Sequence, residues 1–236
     1  MAVTREDYDT AIKAFWKGRD LQTQKSVESG KPNVGTRGSV TGGLHLTALQ
    51  DLIASQFEPL EALGATVRKS GFLPIPGYYR RAKNWDIVVT HGDTLVAAIE
   101  CKSQVGSFGN NFNNRIEEAI GNAVDLWRAY EDGLLGDTKP WLGFAFVLEH
   151  ADGSTRPVSD QVKPIYRPDP VFDNTSYTDR YGILFDRLVR ERLYDAACLI
   201  SSENGEGIYD EPLEHVSTKN LTAAIAARVA YIEGLA

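Results

Sequence analysis

The stretch TLVAAIECKSQ, residues 94–104, begins as an apolar run and ends in charge. Leu95 to Ile99 are all apolar, and Glu100, Cys101, Lys102, Ser103 and Gln104 follow. A run of this kind reads as a central strand, buried on both faces. Side chains alternate across a strand, so Glu100 and Lys102 project to one face and Cys101 to the other. A carboxylate and an ammonium at the end of a buried strand are costly unless they bind something.

The segment just upstream supplies a second acid. NWDIVVT (84–90) reads as a short buried strand and HGD (91–93) as a tight turn, so the two strands pair as a hairpin. Asp86, near the start of the first strand, then lies beside Glu100, near the end of its antiparallel neighbour. Two ionised carboxylates side by side repel. A divalent cation resolves the repulsion, and Mg²⁺ takes one or two protein carboxylates while keeping positions for water and phosphate oxygens. Lys102 would stand beside that metal, able to orient a water and balance phosphate charge. A second acid-x-Lys triplet, Asp137-Thr138-Lys139, lies in a turn with no apolar strand leading into it and is set aside.

Outward from the hairpin, helical and strand patterns alternate. Tyr8, Ile12, Phe15 and Trp16 fall at helical spacing, and a Gly-bearing loop spans residues 29–43. The segment 44–64 reads as one helix with Gly64 as its C-cap. Residues 71–79 contain two prolines and read as an edge strand or irregular arm. A helix is expected over 113–133, a strand over 140–150, a polar surface excursion over 151–176, a helix over 177–195, a strand over 196–202 and a closing helix over 217–235. The expected fold is α/β, with a central mixed sheet of four or five strands flanked by helices, and with N-terminal and loop embellishments. At 236 residues, the chain 1–236 is expected to be a single domain.

Composition narrows the function classes. No apolar stretch approaches the ~20 residues of a membrane span, and the charged N-terminus lacks the form of a signal peptide. A soluble, cytoplasmic protein is expected. Cys101 and Cys198 form no CxxC pair, which argues against a thiolate zinc site. His45, His91, His150 and His215 have no ligand spacing, and there is no GxSxG or P-loop. The net charge of -7 argues against sequence-blind nucleic-acid binding, but the charge is segregated. No acid occurs from Ala62 to Trp85 or from Cys101 to Ile116, whereas residues 201–215 carry five acids and no Lys or Arg. One basic face is compatible with that distribution.

Asp86 followed by Glu100-Cys101-Lys102 resembles the motif of the PD-(D/E)XK nucleases, with Trp85 where a proline commonly precedes the acid. The resemblance extends further. AAIECKSQVGSFGNNFNNRIEEAIGNAVDLW (97–127), VTGG (40–43), PGYYRRAKNWD (76–86) and PWLGFAFVLE (140–149) are similar to segments of the XhoI-like type II restriction endonucleases. This implies a restriction-endonuclease-like core and a homodimer. It also implies Mg²⁺-dependent cleavage of double-stranded DNA at the palindrome CTCGAG within a restriction–modification pair. Alternatives are a repair or junction nuclease of the same fold, or a DNA-binding module without the chemistry; the intact acids and lysine argue against the latter.

Two segments are expected to meet DNA. GSFGNNFNNR holds Asn110, Asn111, Asn113, Asn114 and Arg115; Asn can read adenine, and Arg can read guanine or hold phosphate. The same asparagines also suit a turn and a cap, with Asn113 or Asn114 opening the next helix. Arg80, Arg81 and Lys83, following Tyr78 and Tyr79, suit an arm that tracks phosphates. Asp51 or Glu58 could add an acid near the metal, and spacing does not choose between them.

Overall fold

The computed structural model describes residues 3–28, 44–69, 71, 73–159 and 165–235. The expected loop 29–43, with the VTGG segment, lies outside the described residues. In chain order the regular elements begin with helix α1 (Arg5–Glu28), helix α2 (Thr47–Ser55) and strands β1 (Thr66–Lys69), β2 (Pro74–Pro76) and β3 (Ala82–Asn84). The hairpin strands β4 (Ile87–His91) and β5 (Thr94–Gln104) follow, then helix α3 (Phe108–Glu131) and strand β6 (Trp141–Glu149). The short helix α4 (Asp152–Thr155), helix α5 (Tyr177–Arg190), strands β7 (Ala196–Ser202) and β8 (Tyr209–Asp210) and helix α6 (Thr218–Glu233) complete the set.

Among the described residues the main sheet has six strands in the order β1-β4-β5-β6-β7-β8, two more than the lower expectation. The additions are its edges. β1 pairs antiparallel with β4, and β8 adds a two-residue antiparallel rung to β7. Both are short and lack the apolar run that marks β5. The inner strands β5, β6 and β7 run parallel, which is why their sequences are apolar almost throughout. β4 and β5 form the expected hairpin through a two-residue turn in which Gly92 takes φ 55°, a left-handed conformation that suits glycine.

Helices cover both faces. On one side Phe15, Leu49, Ile53, Leu221 and Ile225 pack with Ile87, Val89, Ile99 and Cys101. On the other, Phe112, Ala119, Leu126, Tyr181 and Phe185 pack with Val88, Ala98, Phe144 and Phe146. Thus α1, α2 and α6 lie against the Cys101 side, and α3 and α5 against the Glu100 side.

Three expected boundaries differ, one of them the helix read over 177–195, which ends at Arg190. The helix read over 44–64 is split: α2 stops at Ser55 and a 3-10 turn runs from Glu58 to Leu63, with Gly64 closing it at φ 88°. Pro59 sits at the start of that turn and has no N–H to extend α2. The Asn-rich stretch read as a loop is instead the first turns of α3, so neither Asn113 nor Asn114 is the cap. Gly106 (φ 64°) and Ser107 (φ 45°) turn the chain out of β5, and Phe108 and Phe112 anchor the new helix. Their rings meet Tyr177 and Tyr181 at centroid distances of 6.2 and 5.0 Å.

Candidate active site

The register of the hairpin places the first acid. Ile87 pairs with Ile99, so one step further sets Asp86 opposite Glu100, on the same face of the sheet. Asp86 lies just before β4, where the chain enters from the small β2–β3 hairpin. Its Oδ2 accepts a hydrogen bond from the Cys101 amide at 2.8 Å, which ties the acid to the tip of β5.

Glu100 is 3% exposed, and both of its oxygens are engaged by cations. Lys102 Nζ contacts Oε1, as two-residue alternation requires. Lys83 Nζ contacts Oε2 at 2.6 Å. The Lys83 ammonium also donates to the Asn84 carbonyl at 2.9 Å and lies 4.1 Å from the centre of the Trp85 ring. Two carboxylates and two ammoniums therefore share a largely dehydrated pocket, with Lys102, at 31%, more exposed than Lys83, at 12%.

The electrostatics follow from that grouping. Burial, and then the neighbouring Glu100, hold the Asp86 carboxyl above the usual carboxylate range, against the pull of Lys102, the Cys101 amide and Lys83. Burial alone would lower the Lys102 ammonium, but Glu100 and Asp86 outweigh it and raise it above the ordinary lysine value. Arg115, on α3, opposes that rise, so its guanidinium belongs to the same electrostatic neighbourhood.

The donor set fits a hard divalent cation. Two adjacent carboxylate oxygen donors, with water making up the rest, match Mg²⁺ chemistry and not a thiolate or imidazole cage. Among the described residues, no group of three or more His, Cys, Asp or Glu is placed to hold a metal. Asp51 and Glu58 do not extend the pair. Their segments pack on the Cys101 side of the sheet, and Asp51 is bound to Lys69 at 2.8 Å.

The basic residues expected to form one arm have three different settings. Arg80 is braced: its Nε donates to Asp125 Oδ2 at 2.8 Å and its Nη2 to Asn122 at 3.2 Å. Lys83 is turned inward onto Glu100. Only Arg81 is exposed without such a contact among those described. Asp125, which the sequence did not single out, organises this arm. It is 3% exposed, and its Oδ1 accepts from the Tyr78 and Tyr79 amides at 3.0 and 2.7 Å. Gly77 permits the approach, since a Cβ there would stand 2.4 Å from Asp125 Oδ2. The inward role of Lys83 had one available signal: two carboxylates on a buried strand end need more positive charge than Lys102 alone supplies.

On α3, Asn110, Asn113 and Asn114 are exposed, whereas Asn111 is half-buried and donates to the Ser107 carbonyl at 3.2 Å. Arg115 pairs with Glu118 at 2.6 Å through Nη1, while its buried Nε has no hydrogen-bond partner. α3 starts four residues after β5 ends, and of these side chains Arg115 is the one whose charge is felt at Lys102.

Residues 25–211 match the family model described as restriction endonuclease XhoI. The type II restriction enzyme BstVI of Geobacillus stearothermophilus is 38% identical over 194 residues, covering 78% of this chain and 86% of that enzyme. The type II restriction enzyme XhoI of Xanthomonas vasicola is 37% identical over 207 residues, 80% of this chain and 78% of that one. The type II restriction enzyme AbrI of Azospirillum brasilense is 40% identical over 170 residues, 68% and 75% of the two chains. No solved structure matches the chain.

Proposed function

The chain belongs to the XhoI family of type II restriction endonucleases, and from that premise we propose that it hydrolyses double-stranded DNA at the palindrome CTCGAG with Mg²⁺, using Asp86, Glu100 and Lys102. The observation that carries the site assignment is the side-by-side placement of Asp86 and Glu100 with Lys102 on the same face. Asp86 and Glu100 would hold the metal. When bound, Mg²⁺ supplies Lewis-acid polarisation of the phosphate and lowers the pKa of a coordinated water.

The protein's own groups do the remainder. Lys102 keeps its ammonium charged, orients the attacking water and offsets charge that develops on the phosphate oxygens. The Cys101 amide fixes Asp86, so the carboxylate need not reorganise during the reaction. Arg115 and Arg81 are suited to phosphates flanking the scissile bond. Asn110, Asn113 and Asn114 present free faces of α3 to bases. Asn111, Arg80 and Lys83 act more through support of the site than through reach. A palindrome presents the same half-site twice, so the working unit is a twofold homodimer. None of the described helices is long and apolar enough to cross a membrane, and a substrate of unmodified DNA entering the cell supports a bacterial cytoplasmic enzyme working beside a protective methyltransferase.

The test is digestion of a linear duplex carrying one CTCGAG. Two discrete fragments with Mg²⁺, and intact DNA with EDTA or with the site scrambled, are expected. A smear, or cutting that ignores the site, would refute the specificity, and intact DNA under all conditions would refute the activity.

A further inference from the structure

Lys83 is the feature that neither the motif nor the family assignment explains. It sits three residues before Asp86 in the β2–β3 hairpin, which forms a sheet separate from the main one. Its ammonium is nonetheless the partner of Glu100 Oε2, and the same ammonium lies 4.1 Å from the centre of the Trp85 ring. Glu100 thus has no oxygen without a cation: Lys102 engages one and Lys83 the other.

We propose that Lys83 is a resident counter-cation that holds Glu100 in the metal-free enzyme and must yield Oε2 when a divalent ion binds. The inference rests on the assignment of Asp86 and Glu100 as metal ligands. Its basis is charge balance. Asp86 and Glu100 contribute two negative charges and Lys83 and Lys102 two positive ones, and the nearby Arg115 is balanced by Glu118, so the metal-free pocket is neutral. A divalent ion added to a neutral, buried pocket meets two ammoniums that repel it and a carboxylate whose oxygens are already in use. Lys102 is fixed by β5 itself, within the parallel ladder to β6. Lys83 belongs to a three-residue strand that, among the described residues, pairs with β2 alone, so the ladder of the main sheet does not hold it in place.

A functional consequence follows. In the metal-free state, Lys83 cancels the repulsion that two bare carboxylates would exert on a DNA phosphate. A phosphate that draws the Lys83 ammonium away also releases Oε2 for the ion. DNA and metal then assist each other's binding, and by linkage the assistance is mutual. Lys83 is accordingly a positioning residue: it acts through Glu100.

The experiment measures Mn²⁺ affinity of the full-length protein without DNA, by calorimetry or electron paramagnetic resonance. Lys83→Met, which keeps an unbranched apolar stem, and Lys83→Gln, which keeps a polar but uncharged end, are compared with Lys83→Arg, with Glu100→Gln as control and thermal melting to verify folding. The expected result is that Lys83→Met and Lys83→Gln bind Mn²⁺ about tenfold more tightly than wild type, that Lys83→Arg resembles wild type, and that metal-free affinity for the duplex falls in the two neutral variants. If Glu100→Gln weakens Mn²⁺ binding but folded Lys83→Met and Lys83→Gln bind no more tightly than wild type, the inference is overturned and the active-site assignment stands. If Glu100→Gln leaves Mn²⁺ binding unchanged, the metal-ligand assignment falls, and the inference with it.

Discussion

At its C-terminal end, β5 presents Glu100 and Lys102 to the α3 side and Cys101 and Ser103 to the α1–α2 side, and the two sides treat polarity in different ways. Toward α3 the charges are retained: two acids and two lysines balance one another in a pocket that reaches solvent at Lys102. Toward α1 and α2 charge is removed. His45 Nε2 lies 3.1 Å from Ser103 Oγ and its ring packs edge-on against Phe15, 5.2 Å between centroids. Burial, helped by Arg19, pushes the imidazole down to about 4, so it is neutral near physiological pH. Burial raises the Cys101 thiol well above its usual value, and Asp86 and Glu100 reinforce the effect, so it stays protonated. An unpaired buried charge is too costly for an ordinary core, and it is tolerated only where a compensating set of partners, or a substrate, meets it. The asymmetry across one strand separates chemistry from packing.

Changes on the two sides should therefore fail in different ways. The largest effect is expected on the charged side. Lys102→Ala should cut the Mg²⁺-supported cleavage rate by on the order of 10³ or more while specific binding changes little; single-turnover kinetics beside a gel-shift titration measure both. On the neutral side, the effect should appear as acid sensitivity. His45 has a lower folded-state pKa than the ordinary 6.5, so the unfolded chain binds the extra proton first. The stability it contributes is fully present above about 6.5 and is lost as pH falls toward about 4, on the order of 2–3 kcal/mol across that window. Urea unfolding as a function of pH should show a flatter acid slope for His45→Asn than for wild type; identical slopes would remove His45 as the cause. A smaller change is expected at the brace of the arm. Asp125→Ala leaves the Tyr78 and Tyr79 amides and the Arg80 Nε without their acceptor, but that turn is partly solvated. A loss of about 1–2 kcal/mol is expected by denaturant titration, and a change within error would show that the brace is dispensable.

The sequence revealed the charged side to the extent that its contacts are local. Alternation along β5 and a hairpin with a two-residue turn bring Asp86, Glu100 and Lys102 together, and the structure has the same arrangement. Lys83 and Asp125 were not legible in those roles. The contact of Lys83 with Glu100 depends on the separate β2–β3 hairpin, and Asp125 reaches Tyr78 across 47 residues of sequence. The Asn-rich start of α3 read as a loop because its polar composition outweighed Phe108 and Phe112, whose four-residue spacing marked the buried face of the helix. β1 and β8 escaped notice because short edge strands need no apolar run.

Asp86→Asn is the decisive test of Asp86 and Glu100 as a metal-dependent catalytic pair. The variant keeps the shape of the side chain and removes one of the two negative charges facing the scissile phosphate. Cleavage of a CTCGAG duplex with Mg²⁺ and binding of the same duplex without metal should be measured on one preparation, with melting as the check on folding. The expected result is loss of cleavage together with metal-free binding that is unchanged or tighter, by about 1 kcal/mol for an effective dielectric near 20. A folded variant that still cuts at the wild-type rate would contradict the account and take Asp86 out of the active site.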